Sequence, residues 1–331
     1  MDRKKRLDRV NRRLKRFEQC RRAIEQELYR FVANDARRGP EELCLVKADG
    51  GVSTLTFFVD CDRTRSYVLR CLLRRREVRH LPEIYAICQK NSLRTPRLLG
   101  KYDGFWHRLK IGFHLFLEEF IEAEPIEKVL RSPDRQSPVL YNLARCLAEL
   151  HDITRREYGP VAKPESRPFL AYYVKKAIRK LDRIQRTVSE ISTQETESIG
   201  RFLIDKSKEY GRATTFSLVH GDPSDGNILV DNANRVTLVD LEYMHFGIHQ
   251  YDLQMVRHYI LKDDDGLFNH FKRTYDLLRE NKPEESQRLD ILCRLFVLLR
   301  SLPLQSPAQR TEEWWEQWRE IQALGRNGAF H

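Results

Sequence analysis

A single stretch in the second half of the chain constrains its fold and chemistry more than any other. Residues 217–230 read Ser-Leu-Val-His-Gly-Asp-Pro-Ser-Asp-Gly-Asn-Ile-Leu-Val, and residues 235–242 read Arg-Val-Thr-Leu-Val-Asp-Leu-Glu. The pattern predicts an apolar strand that delivers Asp222 into a loop, followed by a hairpin with Asn227 at its start and Asp240 at its end. An Asp, an amide and another Asp are therefore expected at neighbouring positions.

This set of side chains fits phosphoryl transfer. One carboxylate would orient an acceptor hydroxyl and take its proton, while the amide and the second carboxylate would hold magnesium against phosphates. Turn formation alone is the alternative, because Asp, Gly and Asn are common in turns. The preceding His-Gly pair and the apolar strands on both sides favour the catalytic interpretation. His220 is expected to hydrogen-bond the loop backbone, and His151 to make a contact at a helix end.

The motif His-Gly-Asp-x-x-x-x-Asn, followed by Val-Asp-Leu-Glu, resembles the aminoglycoside phosphotransferase and choline kinase-like family, which shares the protein kinase fold. The resemblance spans residues 42–255 and implies that Asp222 is the catalytic base and that Asn227 and Asp240 bind Mg²⁺. It further implies a bilobal α+β fold, with a small antiparallel-sheet N-lobe, a mainly helical C-lobe and ATP between them. Asp252 resembles the family's buried aspartate that braces the catalytic loop.

The resemblance extends to the predicted N-terminal strands. Residues 49–57 are similar to the loop that covers the nucleotide, which places Gly51 and Ser53 at the nucleotide. Tyr-Val-Leu-Arg70 is similar to the strand whose basic residue pairs with the phosphates. Protein kinases have Lys at this position, and a guanidinium can still bind two phosphate oxygens in bidentate fashion.

Two further features of the predicted N-lobe concern nucleotide binding. Residues 115–123 look like the hinge of the family, which implies that backbone groups around Glu119 and Ile121 bind adenine. The acidic partner of the phosphate-binding arginine remains open between Glu77 and Glu83, because neither spacing is decisive.

The first 39 residues differ from the rest of the chain. They contain 14 Lys or Arg against 6 Asp or Glu, with apolar residues on alternating three- and four-residue steps, which predicts a basic amphipathic helix. We favour a helix packed on its own protein. A coiled coil with a partner, or a basic face on anionic lipid or nucleic acid, are the alternatives. For the protein as a whole, no nucleic-acid partner is expected.

Composition and organisation narrow the class of protein. No apolar run approaches the ~20 residues that span a bilayer, no secretory signal peptide is expected, and the seven cysteines form no Cys-x-x-Cys pair. We therefore expect a cytoplasmic protein, with a peripheral place at the inner face of a membrane as an alternative. The predicted domains are an N-terminal helical extension, an N-lobe and a C-lobe, at residues 1–39, 40–121 and 122–331.

The resulting hypothesis is an ATP- and Mg²⁺-dependent phosphotransferase that acts on a hydroxyl of a small molecule or sugar. A kinase of a lipid-linked or membrane-surface acceptor is the second hypothesis, because the N-terminus is basic and amphipathic. A nucleotide-binding pseudokinase or scaffold that acts through that helix is the third. The C-terminal helices carry no motif that identifies the acceptor. Trp314, Trp318 and Ile321 share one helix face and are expected to pack in a core.

Overall fold

A computed structural model of the protein describes nine segments: residues 3–35, 42–48, 55–72, 75–102, 114–162, 169–210, 215–279, 283–304 and 310–327. The chain divides into two compact units, Met1–Ala123 and Glu124–His331. The first contains a five-stranded antiparallel sheet, and the second is mainly helical with two smaller sheets. Below they are called the N-unit and the C-unit.

The N-unit is built on a sheet with strand order β1-β2-β3-β5-β4. Leu55, Phe57 and Val59 alternate with less buried residues along β2, so one face of the sheet covers a core. The elements are helices α1 (Arg3–Asp35) and α2 (Arg75–Lys90), and strands β1 (Leu43–Lys47), β2 (Leu55–Cys61), β3 (Thr64–Leu72), β4 (Leu98–Tyr102) and β5 (His114–Glu119).

Helix α2 begins earlier than the sequence indicates. Because proline is favoured in a first helical turn, Pro82 predicts a helix start. The structure instead begins α2 at Arg75 and places Pro82 inside the helix, so this prediction is wrong. Proline removes one backbone donor from a helix interior. Buried Leu81 and Ile84 on either side of it show that tertiary packing supports the helix there.

Helix α1 packs on the sheet of its own unit. Phe17, Ile24 and Leu28 are fully buried in one cluster with residues of β1, β2, β3 and β5. The ring of Phe17 stacks on that of Phe57, with 4.0 Å between centroids and 13° between planes. From Phe17 onward, the apolar stripe of α1 therefore packs on the protein itself, which is the alternative that the sequence analysis favours. The side chains of Leu7, Val10 and Leu14 lie outside the described residues.

Phe17→Ala is expected to destabilise the N-unit by about 3–5 kcal/mol, because it removes a fully buried ring and leaves a cavity against Phe57. Tyr29→Ala is the matched control, since Tyr29 is 46% exposed on the same helix and should cost under about 1 kcal/mol. Urea unfolding followed by circular dichroism measures both. Equal stability of the two variants would contradict the packing of α1.

The C-unit combines eight helices among the described residues with short strands. Strands β6, β10 and β11 form one sheet in the order β11-β10-β6, and β7, β8, β9 and β12 form another in the order β7-β9-β12-β8. The strands are β6 (Glu124–Pro125), β7 (Thr154–Arg155), β8 (Gly159–Pro160), β9 (Phe216–Val219), β10 (Ile228–Val230), β11 (Val236–Leu238) and β12 (His245–Gly247). Antiparallel pairing of β10 with β11 forms the predicted hairpin.

Helices of the C-unit pack against these strands. Trp314, Trp318 and Ile321 are buried, as their shared helix face predicts. No helix in the described segments is long and apolar enough to cross a membrane. The helices are α3 (Ile126–Leu130), α4 (Pro133–His151), α5 (Phe169–Thr187), α6 (Thr193–Tyr210), α7 (His249–Met255, continued by a π turn over Val256–Ile260), α8 (Asp265–Arg279), α9 (Pro283–Ser301) and α10 (Glu312–Asn327).

Candidate active site

The loop that carries Asp222 leaves a fully buried strand. All four residues of β9 are buried, so the strand fixes the point at which His220 and Gly221 emerge. Gly221 has φ +78, and a Cβ there would lie 2.6 Å from the carbonyl oxygen of Tyr243. Both the backbone conformation and the space therefore require glycine immediately before Asp222.

The hairpin brings Asn227 and Asp240 to one end. Ile228 pairs with Leu238, and the Val239 N–H donates to the Asn227 carbonyl at 2.9 Å, so Asp240 directly follows the residue opposite Asn227. Asp240 adopts φ 60 and ψ 53, a left-handed conformation that few residues other than glycine adopt. Such conformations are concentrated at functional sites, where the surrounding fold holds them. The sequence prediction places these two residues together, and so does the structure.

The donor atoms of this pair suit a magnesium ion. Asn227 Nδ2 donates to the Asp222 carbonyl at 2.9 Å, which orients the amide and leaves Oδ1 without a hydrogen bond in the described part of the chain. Carboxylate and amide oxygens are hard ligands, and Mg²⁺ completes its coordination with water and phosphate. The described residues hold no group of three or more His, Cys, Asp or Glu that could bind a metal by itself. Asn227 and Asp240 therefore fit an ion that is shared with a phosphate ligand.

Asp252 braces the loop that carries Asp222 by accepting hydrogen bonds from its backbone. Its carboxylate is fully buried and accepts the backbone N–H groups of His220 at 2.6 Å and Gly221 at 3.0 Å. Burial opposes ionisation, but hydrogen bonds from His151 and from the Gly221 N–H hold the pKa of Asp252 below its usual value. An ionised acceptor thus fixes the two residues that precede Asp222, as the resemblance implies.

A chain of donors ends on this carboxylate. Arg279 Nη1 donates to Tyr275 Oη at 2.9 Å, and Tyr275 Oη lies 2.8 Å from His151 Nδ1. His151 Nε2 lies 3.3 Å from Asp252 Oδ2. Burial lowers the pKa of His151, so the ring is neutral, accepts from the tyrosine and donates to the aspartate. His151 is therefore a structural contact at the end of α4.

His220 also has a structural role. Its Nδ1 accepts the Asp222 N–H at 3.3 Å, so the proton resides on Nε2, which donates to the Val239 carbonyl at 2.9 Å. The ring connects the Asp222 loop to the residue before Asp240. His220 thus hydrogen-bonds the loop backbone, as the sequence analysis expects.

Sequence reasoning missed one residue at Asp222. Arg300, near the end of α9, donates from Nη2 to Asp222 Oδ1 at 2.6 Å and from Nη1 to Tyr251 Oη at 3.0 Å. Burial opposes the charge of this arginine, but Tyr251 and Asp222 raise the pKa of Arg300 above its ordinary value. Nothing in the sequence around Arg300 indicates this contact, which joins residues 78 positions apart.

Another ion pair stands beside the loop. Lys262 Nζ donates to Asp225 Oδ2 at 2.7 Å. Asp225 begins a one-turn 3₁₀ helix, Asp225–Asn227, which ends at Asn227. Burial raises the pKa of Asp225, and Lys262 counters that effect. This pair ties the Asn227 turn to the segment that follows α7.

In the N-unit, the predicted phosphate-binding residue has an unexpected neighbour. Arg70 and Glu118 are both buried, with 3.6 Å between Arg70 Nη1 and Glu118 Oε1. Arg70 pairs with Phe116 across β3 and β5, so Glu118 lies diagonally on the same face. Glu83 is exposed, and the side chain of Glu77 lies outside the described residues. The strand register supplies Glu118 as a neighbour of Arg70, and a pairing of Arg70 with Glu77 or Glu83 stays a prediction.

The remaining nucleotide-binding predictions fall on two parts of the N-unit. The Glu119 N–H donates to the Arg97 carbonyl at 3.0 Å, so this group is already paired. Ile121 lies just beyond β5, and its backbone makes no hydrogen bond to the described residues. Gly51 and Ser53 lie outside the described residues.

Comparison with known proteins identifies the family. The model of APH, the phosphotransferase enzyme family, matches residues 45–280. The chain belongs to this family. Membership confirms both the predicted resemblance and the predicted class of enzyme, a phosphotransferase with an alcohol group as acceptor. No curated protein sequence gives a significant match.

Solved structures with similar folds confirm the predicted bilobal, protein kinase-like α+β fold. A candidate fructosamine-3-kinase from Thermobifida fusca YX-ER1 is 14% identical, with a TM-score of 0.58 over 88% of this chain and 95% of that one. A thermostable mutant of aminoglycoside phosphotransferase APH(4)-Ia, in a ternary complex with AMP-PNP and hygromycin B, is 14% identical, with a TM-score of 0.61 over 92% and 99%. The gentamicin–APH(2")-IIa complex is 19% identical, with a TM-score of 0.57 over 91% and 94%.

Proposed function

We propose that this phosphotransferase is an ATP- and Mg²⁺-dependent kinase of a small-molecule or sugar hydroxyl, with Asp222 as its catalytic base. The observation that carries the proposal is the braced hairpin of the C-unit. Buried Asp252 and His220 fix the loop before Asp222, and the same hairpin brings Asn227 and Asp240 to its end. Such fixed placement is what phosphoryl transfer needs, because its catalysis depends mainly on positioning and charge neutralisation.

The proposed step uses one open oxygen of Asp222. Oδ1 accepts from Arg300, whereas Oδ2 makes no hydrogen bond in the described part of the chain. The acceptor O–H would donate to Oδ2, its oxygen would form a bond to the γ-phosphorus, and the bond to the β-phosphate oxygen would break. Asp222 would take the proton, and ADP would leave. Magnesium held by Asn227 and Asp240 would neutralise phosphate charge.

Nucleotide use by similar structures supports ATP as the phosphate donor. The APH(4)-Ia structure contains AMP-PNP, and a structure of APH(2'')-Ib contains ADP. In the N-unit, Arg70 is the proposed phosphate-binding residue, with Glu118 holding its guanidinium. Ile121, whose backbone makes no hydrogen bond to the described residues, is the proposed adenine-binding edge, and Gly51 and Ser53 remain proposed residues of the covering loop.

The hydroxyl acceptor can be screened directly. Purified protein with γ-labelled ATP and Mg²⁺ is expected to label a hydroxyl compound in a panel of sugars, amino sugars, glycated amines and amino alcohols. When no panel member is present, water is the acceptor, and hydrolysis of ATP is measured instead. Addition of EDTA in excess over magnesium should abolish labelling and hydrolysis, and renewed Mg²⁺ should restore them, because phosphate charge would otherwise remain uncompensated.

The same experiment separates the kinase from a scaffold. Tight nucleotide binding with neither transfer nor hydrolysis would contradict the proposal and favour a pseudokinase. A membrane-surface acceptor gains no support from α1, because its buried residues Phe17, Ile24 and Leu28 pack on its own sheet. Labelling only in the presence of anionic lipid vesicles would still identify that acceptor class.

A further inference from the structure

Arg300 makes a contact with Asp222 that the proposed reaction does not by itself require. Its Nη2 lies 2.6 Å from Asp222 Oδ1, and the side chains of Arg300 and Asp222 are 42% and 23% exposed. A partly solvated ion pair is usually weak, because two side chains must be ordered and water screens the charges. The geometry around this guanidinium differs from that of an ordinary surface pair.

The guanidinium of Arg300 is held by more than its ionic partner. Nη1 donates to Tyr251 Oη at 3.0 Å and lies 3.5 Å from the Gly221 carbonyl and 3.7 Å from Met255 Sδ. Tyr251 and Met255 belong to α7, the helix that also supplies Asp252. The arginine is therefore anchored to the helix that braces the Asp222 loop, and its planar donors have one fixed direction.

Because of this anchoring, the two carboxylate oxygens of Asp222 differ in their hydrogen bonding. Oδ1 is taken by Arg300, and Oδ2 has no hydrogen bond in the described part of the chain. Rotation of a carboxylate about its terminal torsion is otherwise broad and nearly two-fold. A fixed donor on one oxygen restricts that rotation and so aims the other oxygen.

We propose that Arg300 is a positioning residue for phosphoryl transfer, which holds Asp222 Oδ1 so that Oδ2 meets the acceptor hydroxyl. This role rests on the proposed function and deepens it, because it gives a residue of the C-terminal helices a part in the reaction. Positioning suits this chemistry. The transition state is loose, so the direction of the acceptor oxygen matters more than the strength of the base.

The test compares Arg300→Ala and Arg300→Lys with wild type in Mg²⁺–ATP turnover, with water as the acceptor. Arg300→Ala is expected to lower kcat by about 10- to 100-fold with little change in KM for ATP, since a misaimed catalytic group costs about that much. Arg300→Lys should recover part of the rate. Guanidinium chloride at non-denaturing concentration should raise the rate of the alanine variant, because the free ion can occupy the vacated position.

Arg294→Met is the matched control on the same helix. Arg294 is buried and binds Asp263 and Glu320, away from Asp222, so its loss should lower Tm, and guanidinium should not raise its rate. Wild-type kcat in Arg300→Ala would overturn the positioning role while leaving the kinase intact. A loss of kcat in Arg300→Ala that its lower thermal stability fully accounts for, without rescue by Arg300→Lys or by guanidinium, would also overturn it. A wild-type protein without turnover would instead contradict the proposed function.

Discussion

Asp222→Asn is expected to lower kcat for Mg²⁺–ATP turnover by about 10²- to 10⁴-fold, the range that a general base contributes. The change keeps the shape of the side chain but removes its ability to take the acceptor proton. It also replaces the anionic partner of Arg300, whose Nη2 now faces Asp222 Oδ1 at 2.6 Å. The KM for ATP should change little, because Asp222 is proposed to contact the acceptor rather than the nucleotide.

The control for this variant lies in the same hairpin. Asp231→Asn changes a carboxylate at the β10–β11 turn whose Oδ1 accepts the backbone N–H groups of Ala233 and Arg235 at 2.9 Å. An asparagine oxygen can still accept both, so kcat should stay within about 2-fold of wild type. Steady-state kinetics with thermal melts of both variants give the comparison. Equal turnover in Asp222→Asn and Asp231→Asn would reject Asp222 as the base.

The hairpin was predictable because its signals are local. Strand, turn and strand follow one another within residues 216–240, so apolar runs and turn residues suffice to place Asn227 beside Asp240. The same holds for β1, because the short apolar run of residues 43–47 predicts a strand and the structure has one at Leu43–Lys47. Helix α1 was predicted from its period alone. Its contact with Phe57 required the sheet to be known.

Contacts between distant segments were not predictable in this way. Glu118 meets Arg70 because β5 pairs with β3 in one register, which the sequence of neither strand specifies. Arg300 reaches Asp222 because α9 packs on α7, and helical periodicity says nothing about which polar end of a helix meets which loop. Sequence patterns identify the reacting groups, whereas tertiary packing selects the residues that hold them.

Asp252→Asn is expected to destabilise the C-unit by about 3–5 kcal/mol, as for other buried charge networks that lose one partner. Asp252 accepts from His220 N, Gly221 N and His151 Nε2 with two carboxylate oxygens. An amide offers one oxygen and turns its NH₂ group toward a donor, so at least one N–H is left unsatisfied in a fully buried site. The loop before Asp222 would loosen, and kcat should fall even well below the melting temperature.

Asp152→Asn provides the matched control at the other end of the network. Asp152 accepts from Arg279 Nε at 2.9 Å, but its side chain is 62% exposed, so its replacement should cost under about 1 kcal/mol. Urea unfolding of both variants, with kcat measured where each is folded, separates bracing from bulk stability. A fall in kcat for Asp252→Asn at temperatures where its circular dichroism is native would link the buried aspartate to the orientation of Asp222. Native stability and native kcat in that variant would contradict the bracing role, because three donors cannot lose an anionic acceptor in a buried site without a measurable cost.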